Sequence, residues 1–392
     1  MRLKSIKEAK HLFGQRVLVR VDFNVPIKSG RVGDNFKIQK SLPTIKFLLH
    51  SGARVILVSH LGRPKKKDLA SQSGAKKFSL LPVAKELQKL LDSKVAFEKL
   101  EERDDWEGKK LVLLENIRFY KGEENNDQKF AKELAGIADL FVLDGFAVAH
   151  RDAASVSGIQ NYLPSYAGLL LDQEIAGLSK ILEHPKHPFV VLLGGIKMET
   201  KIPVLKNLLP KADKVLLAGG IINTYLSATG NKIGCSAIDE KYKKEAKYYV
   251  ENRKMVKPVD MVAGTIKGKN ARVVSLDKKL NLKKDEGVFD IGPNTVKLFS
   301  QHLKNAKTII WNGAPGFFEQ PPYNHDTYAL VRYLAARSKG KAYGVCGGGE
   351  TVEILRHLEV INDIDLVSTG GGAMLEFLSG KKLPGLKKLI KK

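Results

Sequence analysis

Val17-Leu-Val-Arg-Val-Asp-Phe-Asn24 is a run of apolar and β-branched residues that ends abruptly in charged and carboxamide side chains. A short apolar run bounded in this way reads as a strand, Val17 to Phe23, buried on both faces as in a parallel sheet. Three more runs in the first half end alike. Val55 to Ser59 leads into the cluster Ser59 to Arg63, Leu111 to Leu114 into Glu115 to Arg118, and Leu140 to Leu143 into Asp144 to Arg151. Amphipathic helical stretches separate them near Leu42 to His50, Leu80 to Leu91 and Phe130 to Ile137. The alternation predicts a doubly wound α/β fold with a parallel sheet. In such a sheet the residues just past the strand ends converge on one rim, where ligands bind. Asp22, Asn24, His60, Arg63, Arg118 and Arg151 are therefore expected to form one site. Guanidinium forks bind phosphate or carboxylate in bidentate fashion, so the set suits a small, multiply negative ligand such as a phosphorylated acid.

Past the first four strands, a periodic segment from Tyr166 to Leu182 shows no strand and reads as a helix joining two domains, stopping at the turn-rich Glu183 to Pro188. The alternation then restarts, with strands expected near Val190 to Leu193, Val215 to Leu217, Val259 to Val262, Thr308 to Trp311, Tyr343 to Cys346 and Leu366 to Ser368. Gly194-Gly195, Gly219-Gly220, Gly347 to Gly349 and Gly370 to Gly372 each follow one of these strands. A single glycine turn serves tight strand-to-helix connections. Four in one half point to backbone that approaches a nucleotide, with helix N-terminal amides free for an anion. Neither a Walker sequence nor a GxGxxG after the first strand is present, which disfavours the P-loop and dinucleotide folds. Lys197 and Lys201, four apart, share a face if the segment is helical and can then reach phosphate oxygens, although the pair reads equally as two surface lysines. Glu350, after a glycine triplet, is a candidate to hold a metal that bridges nucleotide phosphates, or else an acid favoured by the helix dipole.

The chain has 392 residues and 43% apolar content, enough for two full cores. Cys235 and Cys346 are its only cysteines, far apart, so neither a disulfide framework nor a zinc site is indicated and a reducing compartment fits. Met1 to Lys10 is charged and no long apolar run follows, so a soluble, cytoplasmic protein with no membrane span is expected. The net charge of +24, from 66 Lys and Arg against 42 Asp and Glu, raises a nucleic-acid reading. The basic residues, however, are scattered in short runs such as Lys65 to Lys67, Lys283-Lys284 and Lys391-Lys392, without interleaved aromatics. A solvated surface that also steers anionic substrates is the better reading.

The motifs, taken in order, resemble those of the phosphoglycerate kinase family over nearly the whole chain. They are Arg20-Val-Asp-Phe-Asn-Val-Pro26, Ser59-His-Leu-Gly-Arg-Pro64, Glu115-Asn-Ile-Arg-Phe119, Ala149-His-Arg151, Trp311-Asn-Gly313 with Gly316 to Glu319, Gly347-Gly-Gly-Glu-Thr351 and Ser368-Thr-Gly-Gly-Gly-Ala373. The resemblance implies two Rossmann-like α/β domains with parallel sheets facing each other across a hinged cleft. Its expected division is 1–165 for phosphoglycerate, 166–186 for the interdomain helix and linker, 187–380 for the nucleotide, and 381–392 as a tail packing back on the first domain. It implies reversible in-line phosphoryl transfer from 1,3-bisphosphoglycerate to ADP, giving 3-phosphoglycerate and ATP, with Mg2+ and as a monomer. By motif position Asp22, Asn24, Lys37, His60, Arg63, Arg118 and Arg151 would hold the glycerate. Lys197, Lys201, Gly219, Gly220, Asn312, Glu319, Gly348, Gly349, Glu350 and Thr351 would hold the nucleotide, Glu350 also its metal, and Lys37, Lys197, Gly371 and Gly372 would act on the migrating phosphoryl group.

Departures from the family pattern fall near the expected site. Lys37 stands where the family has an arginine, keeping the charge without the planar fork. Glu350 replaces an aspartate and is one methylene longer. Thr200 replaces an acidic residue before Lys201, and Leu143 and Ala153 replace an asparagine and a histidine around Ala149 to Arg151. A working enzyme is the expectation. The alternative is a catalytically impaired relative retained for ligand or nucleic-acid binding.

Overall fold

The computed structural model describes residues 1–65, 68, 71–106 and 108–391. Two members of the lysine run at 65–67 and the last of the pair at 391–392 lie outside the described residues. The chain divides into two compact units, Met1–Ala176 with Lys382–Lys392, and Gly177–Lys381.

The first unit is built on a six-stranded parallel sheet. Its spatial order is Ala96–Glu98, Leu111–Leu114, Arg54–Val58, Arg16–Arg20, Leu140–Leu143 and Ser165–Ala167. Leu111–Leu114 and Leu140–Leu143 are buried at every position, as a strand covered by helices on both faces must be. Strand order reverses beside Arg16–Arg20, so the segments leaving Arg20 and Leu143 flank the crevice of the rim.

The second unit repeats the design in the order Met255–Val256, Lys214–Leu217, Phe189–Leu193, Thr308–Asn312, Tyr343–Gly347 and Leu366–Ser368, again all parallel. Here the reversal lies between Phe189–Leu193 and Thr308–Asn312. The loops leaving those two strands nearly touch: a Cβ on Gly313, whose φ is +88°, would lie 2.4 Å from the Gly194 carbonyl oxygen. Only glycine allows that approach.

Several expected elements differ in extent or partner. The first strand ends at Arg20, not Phe23: the Val21 N–H still donates to the Val58 carbonyl, but side chains then take over, Phe23 N–H donating to Ser59 Oγ at 2.8 Å and Asn24 N–H to Asp22 Oδ1 at 3.2 Å. The helix expected near Leu42 begins at Phe36 and carries Pro43 in its interior. Asp34 Oδ1 accepts the Phe36 amide at 2.8 Å and starts it. Tyr166, read as helical, belongs to the edge strand Ser165–Ala167, and the helix runs Leu169–Glu183. The stretch near Val259 to Val262 does not join the parallel sheet. Asp260–Thr265 is the centre of a three-stranded antiparallel sheet with Arg272–Ser275 and Glu286–Ile291. The linker 266–271 is too short for a parallel crossover, which takes about a dozen residues or more.

The C-terminal segment is woven into the first unit. Lys4 N–H donates to the Leu389 carbonyl at 2.8 Å, Lys391 N–H to the Arg2 carbonyl at 3.0 Å, and Gln160 Nε2 to the Gly385 carbonyl at 2.8 Å. Leu389 is fully buried. No helix among the described residues is long and apolar enough to cross a membrane. Truncating a buried leucine removes apolar contact and leaves a cavity, so Leu389→Ala is expected to destabilise the first unit by about 2–4 kcal/mol. Urea denaturation followed by circular dichroism checks this, and an unchanged midpoint would mean the tail adds nothing to that unit.

Candidate active site

At the rim of the first sheet, Asp22 is buried and its two carboxylate oxygens are turned to different partners. Oδ2 accepts from Lys37 Nζ at 2.6 Å, while Oδ1 accepts the Asn24 amide and lies 3.8 Å from His60 Nδ1. Burial raises the Asp22 pKa, but Lys37, His60 and Arg20 more than offset this and hold it below the ordinary carboxylate value. His60 is also buried. Burial drives its pKa well below the usual histidine value, and Arg20, Arg118 and Arg151 reinforce this against the pull of Asp22. The imidazole is therefore neutral at pH 7, and its Nδ1, 3.4 Å from Arg20 Nη2, is the acceptor nitrogen.

The loop after the second strand is clamped from two sides. Asn24 Oδ1 accepts the Gly62 amide at 2.9 Å, and Arg118 Nη1 donates to the Gly62 carbonyl. Arg118 Nε also pairs with Glu124 Oε1 at 3.2 Å. Burial, then the charges of Arg151, Arg20 and Arg63, bring the Arg118 guanidinium down to about 10, with Glu124 opposing. Arg151 is half-buried and its Nε has no protein partner. Arg63 is exposed, within electrostatic reach of Arg118. The rim thus brings Asp22, Asn24, Lys37, His60, Arg63, Arg118 and Arg151 into one electropositive cluster.

Arg20 was legible only as the first residue of a polar cluster, yet it underpins this arrangement. It is buried, donates to Ser155 Oγ at 2.7 Å and to the Val21 carbonyl, and lies 3.9 Å from Glu123 Oε1. Glu123, itself buried, accepts the Ser155 amide and hydroxyl at 2.9 and 2.6 Å. Glu123 and Ser155 carry no sequence signal of their own.

In the second unit five strand-end loops pack together at the corresponding rim. Lys201, in the first turn of the helix Met198–Leu208, is buried and its ammonium donates to Asn312 Oδ1. Asn312 Nδ2 in turn donates to the Gly347 carbonyl, and Thr351 Oγ1 accepts the Gly313 amide at 3.1 Å. Glu350 Oε2 accepts the Ala314 amide at 3.4 Å. A Cβ on Gly371 would lie 2.8 Å from the Gly348 Cα, and one on Gly219, at φ +60°, 2.8 Å from the Gly195 nitrogen. Burial lowers the Lys201 pKa to about 8 against the pull of Glu350. Lys197 does not share a face with Lys201. It precedes the helix in an extended conformation and is exposed.

Gly349 and Gly372 differ from the close-packed glycines Gly194, Gly219, Gly313 and Gly371. A Cβ on either would meet nothing within 4 Å, and neither has a positive φ, so packing does not require glycine there. Both lie at the starts of helices, Gly349–His357 and Gly371–Leu378, on their exposed side. Beside these loops is a cavity of about 300 Å³. Gly219, Gly220, Glu319 and Glu350 line it, and Met261, Val288, Phe289 and Phe317 give it an apolar wall. Burial raises the Glu319 pKa, with Glu350 and Glu353 adding to it. The apolar wall went unread in the sequence because Met261, Val288 and Phe289 come from the antiparallel sheet and meet Phe317 of the loop after Thr308–Asn312 only in the fold.

The chain matches the family model described as phosphoglycerate kinase over residues 6–381. It is 41% identical to the phosphoglycerate kinase of Pelotomaculum thermopropionicum over 97% of each chain. It is 43% identical to that of Dictyoglomus turgidum over 96% of this chain and 95% of the other. Among solved structures, the phosphoglycerate kinase of Coxiella burnetii superposes with a TM-score of 0.84 at 38% identity, covering 98% of both chains. That of Pyrococcus horikoshii does so at 0.85 and 28% identity, covering 99% and 98%. Matched in sequence and in fold along nearly its full length, the chain belongs to the phosphoglycerate kinase family.

Proposed function

We propose that the rim of the first unit binds 3-phosphoglycerate and 1,3-bisphosphoglycerate, and that the glycine loops of the second bind ADP and ATP. The observation that carries this reading is the charge imbalance of the first rim. Arg20, Arg63, Arg118, Arg151 and Lys37 gather there against Asp22, Glu123 and Glu124, an excess that a multiply negative ligand neutralises. Asn24, Asp22 and the neutral His60 supply hydrogen-bonding groups for the ligand's uncharged oxygens. In the second unit Lys197 and Lys201 face the phosphates, with Asn312 orienting Lys201. Gly348, Gly349 and Thr351 shape the phosphate loop, Gly219 and Gly220 border the base cavity, and Glu319 is the acceptor for ribose hydroxyls.

The reaction moves a phosphoryl group between two anionic oxygens, a carboxylate and a nucleotide phosphate. Neither nucleophile carries a proton at pH 7, so no general base is needed and no covalent enzyme intermediate arises. Catalysis is positioning and neutralisation of the charge spread over the equatorial oxygens. Lys37 and Lys197 provide the cations, and the amides at Gly371 and Gly372 provide helix N-terminal donors, for which the open space at Gly372 leaves room. The donor set suits Mg2+. Glu350 would offer its carboxylate to the ion beside the phosphates, in keeping with Mg2+ usually binding through one or two carboxylates together with substrate phosphates. When bound, the ion neutralises charge on the nucleotide phosphates.

Two substrates on separate units must meet, and an acyl phosphate must be kept from water. Hinge closure serves both needs, with Leu169–Glu183 as the connecting element. We assign the chain to the cytoplasm as a monomer, with no membrane or nucleic-acid partner.

In a coupled assay of ATP- and magnesium-dependent phosphorylation of 3-phosphoglycerate, the native chain is expected to turn over robustly. Lys37→Ala should lower kcat about 100-fold, the loss seen when one transition-state donor is removed. An inert native chain that gains activity as Lys37→Arg would instead establish the impaired relative. Because burial holds Lys201 near 8 against 10.5 in the unfolded chain, the unfolded state binds more protons between those values, and this residue's contribution to stability falls as pH drops through about 8. NMR titration of the Lys201 ammonium is expected to show a midpoint near 8 in the ligand-free protein that rises with MgADP. A midpoint near 10.5 without ligand would contradict the burial.

A further inference from the structure

Thr44 lies on the helix Phe36–His50, seven residues after Lys37 and so on the same face two turns on. It is fully buried, and its hydroxyl has two partners outside its own helix. It donates to Asp144 Oδ1 at 2.7 Å and accepts the Leu169 amide at 2.9 Å. The same Asp144 oxygen accepts the Leu170 amide at 3.0 Å. Leu169 and Leu170 open the helix Leu169–Glu183, which starts in the first unit and ends in the second. The junction is tight, since a Cβ on Gly168 would sit 2.0 Å from Asp144 Oδ1.

A second route joins the same carboxyl to the glycerate rim. The amides of Asp144 and Gly145 both donate to the Arg20 carbonyl at 2.9 Å, and a Cβ on Gly145 would lie 3.0 Å from the Asp22 nitrogen. Asp144 is a costly residue to keep here. It is fully buried beside the buried Glu174, and its Oδ2 has no partner. Burial pushes its carboxyl up to about 7 against the Thr44 hydroxyl and the Leu170 and Leu171 amides, with Glu174 adding to the rise. Against that cost, its Oδ1 joins the Thr44 hydroxyl to the first turn of Leu169–Glu183.

We propose that Thr44 and Asp144 are positioning residues for phosphoryl transfer, tying the Lys37-bearing helix to the first turn of Leu169–Glu183. A displacement at the start of that helix then moves Lys37 relative to Asp22, and a ligand held by Lys37 biases where the helix begins. The proposal rests on the hinge-closure reading above.

The test uses the full chain and two variants. Thr44→Val removes the hydroxyl at nearly constant volume, and Thr44→Ser restores it. Thr44→Val is expected to lower kcat about tenfold while the Kd for 3-phosphoglycerate, from titration calorimetry, stays within about twofold; Thr44→Ser should recover most of the rate. A Thr44→Val enzyme that melts earlier yet keeps its kcat well below the melting temperature would show a merely structural role and overturn the proposal. Equal losses of kcat and glycerate affinity would overturn it as well. A measurement on the native chain covers the case in which Thr44→Val does not fold. Adding 3-phosphoglycerate alone should slow hydrogen exchange at the Leu169 and Leu170 amides about tenfold, and unchanged exchange would overturn the coupling. Small-angle scattering of the native chain separates the two readings. If the chain does not compact with both ligands bound, closure itself fails and the proposal with it. Compaction with an unaffected Thr44→Val kcat sinks the proposal alone.

Discussion

Crowding Arg20, Arg63, Arg118 and Arg151 onto the carboxyl ends of one parallel sheet raises the energy of the ligand-free protein, and the rest of the first unit is arranged around holding that cluster in place. Burial lowers the pKa of both Arg118 and His60, and the neighbouring arginines lower them further. Buried carboxylates do not cancel the cluster. Asp22 and Glu123 each neutralise one neighbour and fix its geometry, leaving Arg151 Nε unpartnered. A site preorganised in this way binds an anion without moving its dipoles, because the reorganisation has been done during folding.

The second unit solves a different problem with the same sheet. The ligand proposed for it is large and partly apolar, and its rim carries glycine rather than arginine. Gly194 and Gly313 let two loops meet over the strand reversal, Gly219 lets a third close on them, and Gly371 lets its loop close on Gly348. Lys201 and Asn312 tie these loops at one polar point. The antiparallel sheet around Asp260–Thr265 then supplies the apolar wall that a parallel sheet, with both faces covered, has no surface left to give.

Legibility in the sequence followed physical cause. Strands of four or five residues buried on both faces, such as Leu111–Leu114 and Phe189–Leu193, were visible as continuous apolar runs. Three of the four edge strands, Ala96–Glu98, Ser165–Ala167 and Met255–Val256, were not, being two or three residues long without the glycine cluster that marks the end of the fourth, Leu366–Ser368. The rim residues could be grouped because topology sends every strand end to one side. The bonds that fix them could not: Arg20 finds Ser155 across 135 residues, and nothing local marks either as the other's partner. Lys197 and Lys201 were paired on helical spacing, which fails because the helix begins only after Lys197.

The division of labour between the two rims is most directly tested by titration calorimetry of Arg151→Met with each ligand separately. Its guanidinium has an unpartnered Nε and so little structural work to lose. Affinity for 3-phosphoglycerate should fall about 100-fold while MgADP binds as in the native chain, in line with the loss of a charge-assisted contact of about 2–3 kcal/mol. Unchanged glycerate affinity, or an equal loss for both ligands, would contradict the account.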